Sequence, residues 1–122
     1  MTRAFAPVLA ANGGGANLNV LSLLSWLHLS DYGAYSSAKA AGWAQTNVAR
    51  QELEPHGTQV TPLHVGYMDT DMSDYVDASQ KSDPAVVVAT ALDGIAAGAT
   101  EVLADEITES VKQQLSVAPA AV

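Results

Sequence analysis

The chain has 122 residues, of which 48% are hydrophobic and 15% charged, enough apolar material for one buried core with surface left for a subunit interface. Its 13 Asp and Glu outnumber its 5 Lys and Arg, for a net charge of −8, and the cations are scattered, so we expect neither a nucleic-acid partner nor attraction to a membrane surface. There is no cysteine, which excludes disulfides and thiolate metal sites, and no apolar run reaches membrane-spanning length. A cytoplasmic location is the resulting expectation.

The hydrophobic pattern predicts four helices that alternate with three strands. They are a helix over 2–11, a strand over 16–24, a helix over 32–54, a strand over 58–65, a helix over 84–97, a strand over 100–104 and a helix over 107–115. Asp83 followed by Pro84 is a strong helix start, because a capping side chain precedes a proline at the first helical position. Residues 66–81 are predicted to be a long acidic loop, and residues 116–122 a frayed tail.

Regular alternation of this kind favours parallel βαβ units. We therefore predict a single α/β domain over residues 1–122, with a partial Rossmann-like parallel sheet of about three strands and flanking helices. Pro62 fits poorly inside its predicted strand, because proline cannot donate to a ladder. It indicates a free edge, a bulge or a shifted register.

The residues that could carry chemistry are Ser22, Tyr35 and Lys39. Tyr35 and Lys39 stand four apart in the sequence YSSAK, which places both on one face of a helix. An ammonium beside a phenol favours the phenolate, and such a phenol can exchange a proton with a carbonyl or alcohol oxygen. Ser22 lies at the C-terminal end of the preceding predicted strand, near the sheet edge where ligands bind in open α/β sheets. Taken alone, the Tyr–Lys spacing is more typical of a surface pair on a helix.

With Asn19-x-x-Ser22 ahead of it and Gly66-x-x-x-Thr70 after the next strand, this arrangement resembles the short-chain dehydrogenase/reductase family over nearly the whole chain. The resemblance implies that Ser22 orients the substrate oxygen, that Tyr35 transfers the proton, and that Lys39 activates Tyr35 and holds the nicotinamide ribose. It also implies cofactor contacts at Gly66 and Thr70, with a valine before Gly66 where the family usually has proline. The loop that follows, residues 67–81, is expected to cover the substrate.

The family's glycine-rich turn after its first strand has no counterpart here, because Gly13 to Gly15 follow a helix and precede a strand. The resemblance therefore implies the C-terminal half of the fold, without the half that seats NAD or NADP. It also implies a homo-oligomer, a dimer or tetramer, assembled through the helices over 2–11 and 32–54.

Three functions remain open at this point. The first is an NAD(P)(H)-dependent oxidoreductase acting on a small carbonyl or alcohol, truncated relative to its family. The alternatives are a non-catalytic oligomeric or interaction protein, and a cofactor-independent activity such as hydrolysis in the same pocket. No metal site is expected, because His28, His56 and His64 are too far apart for a local motif.

Overall fold

The computed structural model describes residues 1–116, in which every predicted helix forms and ends within two residues of its predicted bounds. The elements are α1 (Thr2–Ala11), β1 (Gly15–Val20), α2 (Gly33–Leu53), β2 (Thr58–His64), β3 (Tyr67–Met68), β4 (Lys81–Ser82), α3 (Pro84–Ala96), β5 (Val102–Leu103) and α4 (Glu106–Gln113). Most of the predicted tail, residues 117–122, lies outside the described residues. None of the helices in 1–116 combines the length and apolar character needed to cross a membrane.

The main sheet has three parallel strands in the order β1-β2-β5. The predicted Rossmann-like sheet is therefore confirmed. Asn19 donates from Nδ2 to the hydroxyl of Thr46 on α2 at 2.9 Å, whereas its neighbours Leu18 and Val20 line an apolar groove with α3. Because side chains alternate along a strand, α2 and α3 lie on opposite faces of the sheet. The main core cluster lies on the α3 side, where Leu63 and Val87 are among its buried members.

The end of β1 was predicted wrongly. The strand stops at Val20 rather than Leu24, and Leu23–Ser25 form a short 3-10 turn. The reason is local: Ser22 accepts the backbone N–H of Leu24 through its own hydroxyl oxygen, and this side-chain bond starts a turn in place of more strand. Ser22 therefore lies just beyond the strand.

Pro62 occupies β2, the central strand, in regular register opposite Asn19. The carbonyl of Leu63 accepts from β1, so by alternation the nitrogen of Pro62 faces the β5 side, ahead of the residues that pair with β5. On that side the Arg50 side chain makes the hydrogen bonds that a neighbouring strand would otherwise make. Its Nε donates to the carbonyl of Val60 at 3.0 Å and its guanidinium to that of Thr100 at 2.7 Å. The missing proline N–H therefore costs no ladder bond.

The segment predicted as a loop over 66–81 contains a second, two-stranded parallel sheet formed by β3 and β4. Strands of two residues carry no hydrophobic period, which is why the sequence pattern did not indicate them. An ion pair of 3.1 Å between Lys81 and Asp69 lies beside this ladder. The acidic segment is consequently pinned at both ends.

The turn between α1 and β1 requires glycine. Gly14 has φ +109°, and a Cβ there would run into the carbonyl of Gly57. This close approach lets Gly15 donate to the same carbonyl at 3.1 Å, which begins the pairing of β1 with β2.

Candidate active site

Tyr35 and Lys39 lie one turn apart on α2, as their spacing predicts. The Lys39 ammonium donates to the carbonyl oxygen of Val20 at 3.1 Å and lies 5.5 Å from the centroid of the Tyr35 ring. Val20 is the last residue of β1, so this bond fixes the pair at the carboxyl edge of the sheet. The Tyr35 side chain is 42% exposed, which leaves the phenol open to a ligand.

Ser22 lies close to the same edge and is buried. Its Oγ accepts from the N–H of Leu24 at 3.1 Å, and its carbonyl oxygen accepts from the N–H of Ser25 at 2.9 Å. A serine hydroxyl that already accepts one bond keeps its hydrogen for a second. Within the described chain that hydrogen has no acceptor.

Gly66 and Thr70 are held by contacts of their own. The N–H of Gly66 donates to Oδ2 of Asp105 at 2.8 Å, so it is not free for a ligand. Thr70 begins a 3-10 turn over Asp71–Ser73, where its carbonyl accepts from the N–H of Ser73 at 2.9 Å and its own N–H lies 3.5 Å from the Ser73 hydroxyl. The Thr70 side chain is exposed, and the residue lies two positions after the end of β3.

The structure thus brings together Tyr35 and Lys39. Lys39 is hydrogen-bonded to the carbonyl of Val20, two residues before Ser22. Across residues 1–116, no hydrogen bond joins Ser22 or Thr70 directly to Tyr35 or Lys39. The residue roles inferred for these positions and for Gly66 stay predictions.

Sequence reasoning did not single out the three other tyrosines, which gather near Tyr35. The hydroxyls of Tyr32 and Tyr67 are 3.5 Å apart, and the rings of Tyr67 and Tyr75 meet edge to face at 6.3 Å. The neighbouring Tyr32 hydroxyl raises the pKa of Tyr75 above its usual value. Tyr32, Tyr67 and Tyr75 therefore form an aromatic wall at the start of α2, and two of them come from the segment predicted to cover the substrate.

A second cluster lies beneath Ser22, around His64 at the end of β2. His64 is fully buried and stacks on Trp26, with ring centroids 3.9 Å apart. Glu101 faces it from 3.5 Å, and Lys112 reaches Glu101 at 2.8 Å while lying over the Trp26 ring. Burial lowers the pKa of His64, against the raising effects of its bond to Ser22 and of Glu101. The residues are distant in sequence, so no local pattern could have indicated the cluster.

A parallel sheet with α2 and α3 on opposite faces, and a Tyr–Lys pair on the helix after its first strand, defines a Rossmann-like α/β protein. Residues 1–81 match the family model described as short chain dehydrogenase, which covers about two thirds of the chain. The chain therefore belongs to the short-chain dehydrogenase family.

Among solved structures, a short chain dehydrogenase from Burkholderia cenocepacia in complex with NADP superposes with a TM-score of 0.89 at 37% identity. The match covers 96% of this chain and 50% of that one. A short-chain dehydrogenase from Sphingobium yanoikuyae in complex with NADPH shares the fold, with a TM-score of 0.75 at 19% identity over 98% of this chain and 52% of its own.

Among curated proteins, the NADPH-dependent 1-acyldihydroxyacetone phosphate reductase of Schizosaccharomyces pombe is 41% identical over 56 residues. That stretch is 46% of this chain and 19% of the reductase. The chain thus spans about half the length of the structures it matches and a smaller share of this relative.

Proposed function

We propose that the protein is a carbonyl or alcohol oxidoreductase of its family, dependent on NAD(H) or NADP(H), with Ser22, Tyr35 and Lys39 as its acid–base site. The observation that carries the proposal is the bond from Lys39 to the last carbonyl of β1, beside an exposed Tyr35. Ligands of open α/β sheets bind at this carboxyl edge. Further support comes from the NADP complex of the Burkholderia relative.

Each side chain has a role that its contacts permit. The hydroxyl hydrogen of Ser22 is free to donate to the substrate oxygen, because its Oγ is held in place by Leu24. Tyr35 donates a proton to that oxygen in reduction and accepts it in oxidation. The Lys39 ammonium stabilises negative charge on the Tyr35 oxygen. The wall of Tyr32, Tyr67 and Tyr75 gives the substrate an aromatic surface to pack against.

The residues present fit part of a nicotinamide cofactor. Lys39 supplies an ammonium for ribose hydroxyls, and the exposed Thr70 supplies a hydroxyl for the carboxamide. Gly66 offers no free donor, because its N–H is taken by Asp105, and its missing Cβ makes room for protein atoms, since a Cβ there would lie 3.3 Å from Leu23. The bound nicotinamide supplies or accepts the hydride, which no side chain can do.

We propose further that the chain corresponds to the C-terminal portion of the family fold and that a surface covering the open edge of β1 supplies the rest of the cofactor seat. The outer edge of β1 lacks a partner strand within residues 1–116. Beside that edge, Val20 and Leu92 line a groove of wholly apolar character. An open edge next to an apolar groove is a surface that another chain can cover.

The experiment is a titration of the purified chain with NADPH and NADH, followed by the fluorescence of Trp26 and Trp43. We expect saturable binding, and we expect Lys39→Ala to weaken it. Arg3→Ala removes a positive charge on α1 and should leave the affinity unchanged. With a ketone substrate, Tyr35→Phe should abolish turnover while cofactor binding persists. Absence of binding at millimolar cofactor would refute an oxidoreductase formed by this chain alone.

A second candidate, a non-catalytic oligomeric protein, is favoured by the exposed apolar side chains of α1 and α2. Phe5, Val8 and Val48 are each about half exposed, and the helices that carry them are those expected to form a homodimer or homotetramer. Sedimentation at micromolar concentration should show the oligomer, and Val48→Lys should dissociate it. Val86→Lys, at a similarly exposed position on α3, is the control. A folded wild-type monomer would contradict the proposal.

For hydrolysis through Ser22, no contact among the described residues offers support.

A further inference from the structure

The carbonyl oxygen of Ser22 accepts two hydrogen bonds. One comes from the N–H of Ser25 at 2.9 Å, within the 3-10 turn, and the other involves Nδ1 of His64 at 3.1 Å. Both lone pairs of this oxygen are thereby used. A backbone carbonyl needs only the first of these bonds to be satisfied, so the second adds a constraint on the orientation of the Ser22 peptide.

The proton of His64 has two competing acceptors. A neutral imidazole carries one N–H, and the ring faces the Ser22 carbonyl with Nδ1 and the Glu101 carboxylate with Nε2. The carbonyl oxygen is 3.1 Å from Nδ1, whereas Oε1 of Glu101 is 3.5 Å from Nε2 and already accepts from Lys112 at 3.1 Å. A carbonyl can only accept, so the Nδ1–H tautomer is the one that satisfies the shorter contact.

The ring that makes this bond is itself fixed. His64 is completely buried and stacks on Trp26 at an interplanar angle of 26°, and Trp43 packs edge-on against it at 6.4 Å. Trp26 directly follows the 3-10 turn that Ser22 caps. His64 therefore contacts both ends of the turn, through a hydrogen bond at Ser22 and through stacking at Trp26.

We propose that His64 is a positioning residue for the candidate active site, which donates through Nδ1–H to the Ser22 carbonyl and so fixes the direction of the Ser22 hydroxyl. The inference rests on the proposed role of Ser22. It requires no contact between His64 and substrate. In this arrangement Glu101 is occupied by its ion pair with Lys112, so the imidazole N–H donates to the Ser22 carbonyl instead.

The charged groups that act on His64 among the described residues are Glu101 and Lys112, and the rings of Trp26 and Trp43 pack against it. Protonation would add a hydrogen at Nε2 toward Glu101 and leave the Nδ1–H bond to Ser22 in place. The contact with Ser22 is thus expected to survive titration of the ring. A histidine buried for packing alone carries no such expectation.

Nuclear magnetic resonance on the labelled full chain tests the bond directly. We expect His64 in the Nδ1–H tautomer, with Nε2 unprotonated near neutral pH. The amide nitrogen of asparagine matches the position of Nδ1, and that of glutamine matches Nε2. His64→Asn should therefore keep the wild-type carbonyl carbon shift of Ser22, and His64→Gln should move it. An Nε2–H tautomer, or equal Ser22 shifts in the two folded variants, would overturn the proposal.

Turnover provides a second readout. If the chain reduces a ketone with NADPH, His64→Gln should lower kcat by about tenfold or more with little change in the KM for cofactor, because a hydroxyl misplaced by an ångström is costly, and His64→Asn should recover most of the loss. Equal kcat in the wild type and His64→Gln would count against positioning. If the wild type is inactive, the proposed function fails, and the tautomer and the Ser22 shift still decide whether His64 holds Ser22.

Discussion

Asp105 joins the start of α4 to the turn that follows β2, and its removal should cost more than the loss of an ordinary helix cap. One carboxylate oxygen accepts from the N–H of Thr108 at 2.9 Å and so caps the helix. The other accepts from the N–H of Gly66 at 2.8 Å. At the start of α3, Asp83 has the capping bond alone, to Ala85 at 2.8 Å, and is the matched control.

The expected losses in the free energy of unfolding follow from these bonds. Asp83→Ala should cost about 1 kcal/mol, the usual value of a cap. Asp105→Ala loses a similar cap together with a charge-assisted bond worth about 1.5–3 kcal/mol, for a sum of roughly 2.5–4 kcal/mol. Asp105→Asn should lie between them, because a single amide oxygen serves only one of the two N–H groups.

Urea unfolding followed by tryptophan fluorescence measures all three variants. In thermal unfolding, each kcal/mol should lower Tm by roughly 3–5 °C for a chain of this size. The reasoning is refuted if Asp105→Ala and Asp83→Ala differ by less than about 0.5 kcal/mol, since the bond to Gly66 would then contribute nothing measurable.

Three further outcomes are expected. Arg50→Lys should destabilise the fold by about 1.5–3 kcal/mol in urea unfolding, because a single ammonium cannot serve both carbonyls that the guanidinium reaches; an unchanged midpoint would contradict this. Burial lowers the pKa of His64, so the unfolded chain binds more protons below about pH 6.5, and stability that is complete above that pH should fall as the solution is acidified. His64→Asn should not show this fall in the free energy of unfolding between pH 7 and 5.5. A wild type whose free energy of unfolding is constant over that range would disprove the prediction. Gly94→Ala places a methyl group against Val102 and should cost about 1–3 kcal/mol, whereas Gly33→Ala, with open space around it, should be neutral or stabilising; equal effects in calorimetry would show that the crowding is relieved.

The helices and the Tyr–Lys pair could be predicted because their signals are local. Asp83 and Pro84 mark the start of α3, and the four-residue spacing of Tyr35 and Lys39 is sufficient to place both side chains on one face. The end of β1 could not be predicted in the same way. The apolar pattern of Leu21, Leu23 and Leu24 predicts a continuing strand. The bond from the N–H of Leu24 to the Ser22 hydroxyl oxygen forms a turn instead.

The contacts beneath the candidate site are long-range and escape pattern reasoning. Arg50 completes hydrogen bonding for Val60 and Thr100, and its sequence position on a helix gives no sign of that task. Lys112 lies over Trp26 although most of the chain separates them. Such contacts follow from the packing of finished elements, so only the fold could reveal them.

The ladders formed within residues 1–116 are all parallel, and this has a consequence for how the chain folds. Parallel neighbours cannot be joined by a tight turn, so each pairing must close a long loop before it gains any hydrogen bond. For β1 and β2 that loop contains the whole of α2. Rates fall as contacts become less local, so refolding should take milliseconds to seconds, slower than a helical bundle of this length. Trp26, whose ring stacks on that of His64 in β2 with centroids 3.9 Å apart, should report the moment at which this loop closes.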